Sequence, residues 1–422
     1  MSQLAIESEQ TQFRPIKLAA IDVESCPEAI GGGPGYGALW ALVREGGRPR
    51  GMIQVPFDDE CVTREQLTAA IATLPAAASR PAPQRAQERT LPSISVVIPS
   101  LLERAEGVRA CLESLTDLDY PAYEVIVVDN RPAGAAPVEL AGVRVVREPR
   151  PGISAARNRG LAEATGEIVA FTDDDVEVDP GWLLAIGHRL TEHPEEAGVA
   201  GLALPRELET SAQVAVEEYY GGFGPRLYEP VSHRMQAPRD CSPLRPATVE
   251  EIGDDGRVRG SFSLYAAGSF GTGANMAFRA RILRELGGFD LALGAGTQAR
   301  GGEDLVMFAR LAWRGYGVGF EPAALVHHTH RRDAGSLERQ IEGYGVGYGA
   351  LLTALVLEDP RHLGRMLATA RRAVRVMTAG YRDKLDARSQ PSPRTRELAR
   401  MELRGMAAGP LVYLRSRLRR SR

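Results

Sequence analysis

The 422-residue chain is poor in the features that accompany secretion or membrane insertion. Its four cysteines stand singly, with no C-x-x-C pair, and such scattered thiols are typical of a reduced cytoplasmic protein. No run of 18 apolar residues occurs, and the N-terminal segment "MSQLAIESEQTQF" has no basic region followed by an apolar one. We therefore expect neither a secretory signal nor a membrane span, and we expect a cytoplasmic location.

Lysine is almost absent, which excludes one class of nucleotide site. The chain has two lysines, Lys17 and Lys384, and neither follows a glycine-rich loop, so no P-loop is present. The stretch "GGGPGYGA" at residues 31–38 lacks the glycine spacing of a dinucleotide fingerprint and is interpreted as a loop.

Arginine is plentiful but unevenly distributed. The net charge is -3, yet residues 361–422 hold seventeen basic and four acidic side chains and residues 1–360 carry the compensating excess of acid. Within "RHLGRMLATARRAVRVM", an apolar stripe alternates with arginines. The stripe is Leu363, Met366, Leu367, Ala370, Val374 and Met377, and the arginines are Arg361, Arg365, Arg371, Arg372 and Arg375. This pattern fits a helix on an anionic membrane face, and equally a helix that packs its stripe on the protein; no nucleic-acid partner is expected.

The length predicts two or three folded units. Residues 1–75 read as a small α+β domain, with a hairpin from "ALWALV" to "GMIQVP" and a helix beginning at "TREQL". Residues 76–92, rich in proline and alanine, are predicted to be a linker. Residues 93–335 are predicted to form the main domain, which is the candidate for a catalytic domain, and residues 336–422 are predicted to be helical and arginine-rich.

The central region alternates continuous apolar runs with helical segments. The runs are "ISVVIP", "EVIVVDN", "VRVV", "EIVAFTDDD" and "VAGLAL". Such runs are typical of strands buried on both faces, so we expect a mostly parallel sheet flanked by helices. Ligands bind such sheets beyond the carboxyl ends of the strands, where Pro99, Ser100, Asp129 and the aspartates 173–175 occur.

Three adjacent aspartates follow the strand "IVAF". Neighbouring carboxylates repel one another by roughly 4 kcal/mol at 4 Å and an effective dielectric near 20, so a cation or water must screen them. Hard divalent cations prefer carboxylate oxygens together with substrate phosphates. On an extended chain, Asp173 and Asp175 would lie opposite Asp174.

Six segments in this order resemble family 2 inverting glycosyltransferases of the GT-A fold. They are "SVVIPS", "VIVVDN", "GISAARNRGL", "FTDDD", "GTGANMAFRARILRELGGFD" and "GGEDLVMFARLAWRGY", and they span roughly residues 92–335. The resemblance implies transfer of a sugar from a nucleotide-diphosphate-sugar donor to an acceptor hydroxyl, with Mg or Mn. The product would be a cell-surface glycan, a glycolipid or a glycosylated metabolite.

The resemblance also implies roles for individual residues. Asp304 is the expected general base, and the expected metal ligands are Asp173, Asp175 and His328, with His327 and His330 as alternatives. The expected donor contacts are Pro99, Ser100, Asp129, Arg157, Asn158, Asp173 and Asp174. The expected acceptor contacts are Trp182, Gly273, Asn275 and Glu303, with the loops of residues 205–265 shaping the acceptor pocket. The chain departs from the family at Glu103 and Arg104, where a Tyr-Asn pair is common, which leaves the nucleobase open.

Two other functions remain possible from the residues. A sugar-phosphate nucleotidyltransferase would need a basic glycine-rich loop after the first strand, where this chain has "SLLERAEG". A non-catalytic carbohydrate-binding relative would have no need of Asp173, Asp175 and Asp304.

Overall fold

The structure is a computed structural model that describes most of the chain. The described residues are 13–57 except 34, 60–75, 91–369 except 117, 238–241 and 243–244, and 393–420. Nearly all of the expected linker, and the expected membrane helix from Ala370 onward, lie outside the described residues.

The N-terminal module is a small α+β unit. Its elements are β1 (Ile16–Asp22), β2 (Ala29–Gly31), β3 (Ala38–Glu45), β4 (Arg48–Pro56), β5 (Cys61–Thr63) and α1 (Arg64–Ile71). The expected hairpin is confirmed as the antiparallel pair β3–β4, and β1 adds to β3 in parallel. The expected helix is also confirmed: the Thr63 hydroxyl accepts a hydrogen bond from Gln66 N, and the Gln66 Oε1 accepts one from Thr63 N, which is a capping box.

The central sheet has eleven strands and is mixed. Its strands are β6 (Ile94–Ser100), β7 (Tyr123–Asp129), β8 (Arg144–Arg147), β9 (Ile168–Phe171), β10 (Val176–Val178), β11 (Glu196–Pro205), β12 (Val231–Met235), β13 (Thr248–Gly253), β14 (Val258–Ser263), β15 (Met276–Arg279) and β16 (Gly317–His328). The order is β14-β13-β12-β16-β11-β15-β9-β6-β7-β8, and β10 pairs with β16. All five apolar runs are strands, and β6, β7, β8 and β9 are parallel as expected. The antiparallel β15 separates β9 from β11.

Helices pack on the sheet, and two long helices follow its last strand. They are α2 (Ala105–Ser114), α3 (Ile153–Glu163), α4 (Trp182–Glu192), α5 (Ser211–Tyr220), α6 (Ala280–Glu285), α7 (Glu303–Trp313), α8 (Ala334–Glu358) and α9 (Pro393–Arg420). Two large apolar clusters fill the space between sheet and helices. No helix of the described residues is both long and apolar enough to cross a bilayer.

Glycines let α8 and α9 lie in close contact. A Cβ on Gly345 would stand 2.2 Å from the carbonyl oxygen of Glu402, and a Cβ on Gly302, in the turn before α7, would stand 2.7 Å from the carbonyl oxygen of Gly347. Tyr413 of α9 donates to Asp290 at 2.7 Å. The two C-terminal helices therefore support the segment that leads into α7.

Residues 361–369 are helical, as both sequence interpretations expect, but the burial of Arg365 differs from both of them. Arg365, expected to supply surface charge, is fully buried, and its guanidinium lies 5.3 Å from the Trp313 ring centroid. Leu363 and Leu367, expected to share one apolar stripe, are 51% and 65% exposed. The stripe therefore does not pack on the catalytic domain at these two positions.

Candidate active site

The carboxyl ends of β6, β7 and β9 meet at one edge of the sheet. Ser100 and Asp129 are register partners on the parallel strands β6 and β7, and Pro99 precedes them, buried in β6. The Ser100 hydroxyl donates to Asp174 Oδ2 at 2.5 Å, which ties the end of β6 to the residues that follow β9. The predicted convergence of strand ends is therefore confirmed for Ser100 and the aspartates.

The three aspartates form a turn, so the expected extended alternation is wrong. The backbone N–H of Val176 donates to the Asp173 carbonyl at 3.3 Å, which folds the chain back between β9 and β10. Asp173 accepts from Arg157 at 3.2 Å, whereas Asp174 and Asp175 both accept from Arg104. We call residues 173–175 the acidic turn. Two arginines hold its carboxylates on two different sides.

The three carboxylates of the acidic turn differ in solvent exposure and in pKa. Asp173 keeps 24% of its side chain exposed, compared with 9% for Asp174 and 8% for Asp175. Burial raises the pKa of Asp173 to about 6, because the neighbouring carboxylates add to it and Arg157 offsets only part. Burial also acts to raise the pKa of Asp175, but His328 and Arg104 outweigh it and the pKa is lowered.

His328 is the histidine that reaches the acidic turn. Because β10 pairs antiparallel with β16, His328 lies opposite Val176, and its Nε2 is 3.6 Å from Asp175 Oδ1. Its ring stacks on Phe223 at 3.9 Å between centroids. Burial lowers the pKa of His328 to about 4, so the imidazole is neutral at neutral pH, as a metal ligand must be.

A chain of hydrogen bonds behind His328 can set its tautomer. Glu217 Oε1 lies 2.7 Å from His330 Nε2, and His330 Nδ1 lies 3.2 Å from His328 Nδ1. If His330 is neutral and donates to Glu217, its Nδ1 accepts the proton of His328 Nδ1. The His328 Nε2 lone pair is then directed toward Asp175. His330 is thus a support for His328, and His327 pairs in register with Glu177 on β10.

Arg157 joins the acidic turn to α7. Gly160, three residues further along α3, lets that helix lie against β6, since a Cβ there would be 2.2 Å from Val97 Cγ1. The buried guanidinium donates to Glu303 at 2.6 Å and to Asp173. The predicted roles of Arg157 as a diphosphate contact and of Glu303 as an acceptor contact do not fit this geometry, because each side chain is buried against the other.

Asp304 stands beside this pair in the first turn of α7. Its Oδ2 accepts from Gly273 N at 2.7 Å, and its Oδ1 accepts from Leu305 N at 2.9 Å. Gly273 is required there, because a Cβ would lie 2.8 Å from an Arg157 nitrogen and 2.9 Å from Asp304 Oδ2. The structure therefore places Asp304, Gly273 and Arg157 together on the Asp173 side of the acidic turn.

Three predicted contacts are structural instead. Trp182 is fully buried and donates to Asn275 Oδ1 at 2.8 Å, while the Asn275 amide donates to two backbone carbonyls. Neither side chain can border an acceptor pocket. Asn158 exchanges two hydrogen bonds of 2.8 Å with the backbone of Phe289, so both of its polar atoms are occupied away from the acidic turn.

Asp129 is buried and strongly paired. Burial acts to raise its pKa, but hydrogen bonds from Arg131 and Arg147 outweigh it and hold the pKa at about 2. Arg131 contacts both carboxylate oxygens, at 2.9 and 2.8 Å. A nucleobase that bound Asp129 would have to share it with these arginines.

Sequence reasoning missed Arg104, Glu217 and Phe223 as parts of the site. Arg104 was visible only as a departure from the family pattern. Glu217 and Phe223 lie in "EEYYGGF", inside the segment expected to shape the acceptor pocket, and no local signal connects them to a histidine more than 100 residues away.

The acidic turn and His328 together have the ligand types that a hard divalent cation takes, namely carboxylate oxygens and one neutral imidazole. Their ligand atoms do not meet at one point. Among the described residues, the acids and histidine whose ligand atoms all lie within 4.8 Å of one another are His193, Glu195 and Glu196. That group is at the opposite end of β11, and Glu196 is bound to Arg189. The residues of the acidic turn fit a cation in type but are held apart by arginines.

Comparisons with known proteins identify similar glycosyltransferases. Residues 95–287 match the family model described as glycosyl transferase family 2. The chain is 26% identical over 404 residues to a pre-mycofactocin glycosyltransferase of Mycobacterium tuberculosis, covering 87% of this chain and 75% of that protein. It is 35% identical over 105 residues to glycosyltransferase AglE of Haloferax volcanii, covering 22% of this chain and 34% of that protein. A solved mannosyltransferase of Pyrobaculum calidifontis, in complex with GDP-Man and Mn²⁺, matches with a TM-score of 0.45 at 18% identity, covering 79% and 91% of the two chains.

The acidic turn and the strand ends beside it lie within the region of this α/β protein that matches glycosyl transferase family 2, which defines the class of protein. The chain carries a glycosyl transferase family 2 domain over residues 95–287, and the protein is a glycosyltransferase. The alignment with the mycobacterial protein covers 87% of this chain, so it includes residues on both sides of that domain.

Proposed function

We propose that the protein is a metal-dependent, configuration-inverting glycosyltransferase that moves a sugar from a nucleotide-diphosphate-sugar donor to an acceptor hydroxyl. The observation that carries the proposal is the joint position of the acidic turn, neutral His328 and Asp304 at one edge of the sheet. Asp173, Asp175 and His328 would hold Mg or Mn, which would offset the charge of the diphosphate leaving group.

The protein's own residues orient the reaction. Arg157 fixes Asp173, and the N–H groups of Gly273 and Leu305 hold the Asp304 carboxylate in one orientation. Asp304 would accept the proton of the acceptor hydroxyl as that oxygen attacks the anomeric carbon. Pro99, Ser100 and Asp129 would border the nucleoside, since they end the two strands next to the acidic turn.

A nucleotide panel tests this function. UDP, dTDP and GDP are added with and without Mn²⁺, and the unfolding temperature is measured. One nucleotide should stabilise the protein by about 2.7 kcal/mol at a hundred times its dissociation constant, only when Mn²⁺ is present. The sugar form of that nucleotide should then be hydrolysed slowly with Mn²⁺. Pyrophosphorolysis instead would identify a nucleotidyltransferase, and no turnover would indicate a binding protein.

The acceptor belongs to the same proposal. The mycobacterial relative aligned along most of the chain is named for pre-mycofactocin, so pre-mycofactocin is the first acceptor to assay. Glycans and glycolipids follow.

We also propose a cytoplasmic location with peripheral attachment to an anionic membrane face. Leu403, Leu411, Leu414 and Leu418 of α9 are 42 to 68% exposed and recur on one side of the helix. Arg400, Arg404, Arg415 and Arg419 are exposed on the same helix, and the described residues provide them with no ion pair. Exposed leucines beside unpaired arginines are complementary to a lipid surface with anionic headgroups.

Vesicle flotation tests the membrane proposal. Replacing Leu411, Leu414 and Leu418 together with Ser should lower recovery on anionic vesicles by ~10-fold or more, because each buried leucine contributes about 1.5–3 kcal/mol. Leu101→Ser, at a leucine 45% exposed outside α9, is the control and should float like the unaltered protein. Equal recovery of the triple variant would refute the proposal. So would a large fall in its unfolding temperature, which would show that the leucines pack within the protein.

A further inference from the structure

Arg104 is placed over the acidic turn by a defined backbone path. Ser100 ends β6, and its hydroxyl accepts from Leu102 N at 2.9 Å while Leu102 adopts a φ of 54°. This tight path brings Arg104 to the position before the first residue of α2. The close approach of α2 is also visible at Gly107, where a Cβ would stand 3.2 Å from the Asp174 carbonyl oxygen.

The Arg104 guanidinium binds two carboxylates of the acidic turn at once. One terminal nitrogen donates to Asp175 Oδ2, and the other donates to Asp174 Oδ1 at 3.0 Å. Arg104 is 44% exposed, whereas both acids are almost fully buried. The guanidinium therefore lies between these carboxylates and solvent.

This contact competes with a divalent cation for Asp175. A cation takes carboxylate oxygens at about 2.0–2.6 Å, so it would stand a few ångströms from a guanidinium bound to the same carboxylate, and like charges repel at that distance. The predicted ligand atoms do not converge, and two different arginines bind them: Arg157 binds Asp173, and Arg104 binds Asp175.

We propose that Arg104 is an internal counter-cation that occupies the acidic turn until a divalent cation displaces it, and that it then pairs with the donor diphosphate. The inference rests on the proposed function, since it assumes a nucleotide-diphosphate donor. Arg104 can move without a change of the main chain, because it is long and exposed and its side-chain partners in the described part of the chain are the two aspartates themselves. An arginine released beside a diphosphate makes charge-assisted hydrogen bonds.

This exchange couples metal and donor. Metal alone takes Asp175 from Arg104 and leaves it only Asp174, whereas metal together with a diphosphate gives Arg104 a new anion. The affinity for Mn²⁺ should therefore rise when a nucleoside diphosphate is bound, and by linkage the affinity for the nucleotide should rise by the same factor with Mn²⁺. Arg104 would thereby make the enzyme favour metal and donor together over metal alone.

The test measures Mn²⁺ binding by the electron paramagnetic resonance signal of free Mn²⁺, first without nucleotide and then with saturating UDP, dTDP or GDP. Arg104→Gln should bind Mn²⁺ alone about tenfold more tightly than the unaltered protein, because one charge-assisted pair no longer competes. Its gain in Mn²⁺ affinity on adding nucleotide should be smaller by a similar factor. Arg104→Lys, which keeps the charge, should lie nearer the unaltered protein.

Arg109→Gln is the matched control, since Arg109 is an exposed arginine of the same helix that makes no contact with the acidic turn. It should bind Mn²⁺ like the unaltered protein. Equal or weaker Mn²⁺ binding by a folded Arg104→Gln protein, checked by circular dichroism, would overturn the inference. If the unaltered protein binds no Mn²⁺ with any nucleotide, the metal-dependent function fails. Mn²⁺ binding by Arg104→Gln alone would then still support Arg104 as the counter-cation, and its absence there too would overturn both.

Discussion

Replacing Asp304 with Asn is expected to lower turnover by about 10²- to 10⁴-fold, the usual contribution of a positioned general base. Asn is nearly isosteric but cannot accept the acceptor's proton. The nucleotide and Mn²⁺ affinities should stay within about threefold of normal, since the acidic turn is unaltered and the change affects a step after donor binding. Turnover and nucleotide affinity are measured on the same preparation, once an acceptor is found.

The geometry adds one requirement to that experiment. Asp304 accepts from two backbone N–H groups, and Asn can satisfy only one of them, so the fold of the variant must be checked by its nucleotide affinity. Asp333→Asn, an equivalent change at the exposed N-cap of α8, is the control and should leave turnover near normal. Near-normal turnover of Asp304→Asn would eliminate Asp304 as the base. Retained anomeric configuration in the product, determined by NMR, would eliminate the single-displacement mechanism.

Replacing either Asp173 or Asp175 with Ala is expected to abolish Mn²⁺-dependent binding of UDP, dTDP or GDP, measured by titration calorimetry. Each change removes one anionic oxygen ligand and leaves the diphosphate charge without its bridge to the protein. Asp255→Ala, at a partly exposed acid in the turn between β13 and β14, is the control. Unchanged affinity in both variants of the acidic turn would mean that the cation, if any, binds elsewhere.

The same residues predict a pH dependence with a definite sign. The pKa of Asp173 is raised to about 6, so this carboxyl is protonated in the metal-free protein below that pH and must lose its proton to bind a cation. Mn²⁺ affinity should therefore fall as pH falls through 6, by ~10-fold per pH unit for one proton. Because the pKa values of Asp175 and His328 are lowered, protonation of these two side chains would weaken Mn²⁺ binding only at lower pH. An affinity unchanged between pH 7 and 5 would contradict the assignment of Asp173.

Some features of the fold and the site could be predicted from the sequence, and others could not. The strands β6, β7 and β9 were predictable because an apolar run is a local property, and Thr63 was recognisable as a helix cap for the same reason. The order of the segments around the acidic turn pointed to the family. Side-chain direction was not predictable: Trp182 and Asn275 were both expected to contact the acceptor, yet they face each other inside the protein.

The extended conformation that the sequence predicted for the acidic turn was also wrong. An extended chain would have separated Asp174 from Asp173 and Asp175, but the bond from Val176 N to the Asp173 carbonyl turns the chain and groups Asp174 with Asp175 under Arg104. Only a long-range pairing decides this arrangement, because β10 must return along β16 for the turn to form.

By itself, the sequence determined which chemical groups stand at the strand ends, namely the carboxylates of residues 173–175 and the serine and aspartate that end β6 and β7, and it also determined that the Asp304 carboxylate stands at the start of a helix. These follow from local patterns, because a strand and the residue after it are neighbours along the chain. The tertiary structure alone decided which groups are paired and which stay accessible, since Arg157 meets Glu303 and His328 meets Asp175 across separations of more than 140 residues. Burial and ion pairing arise only when such distant segments pack, and they are what set the charge and the freedom of each side chain in the site.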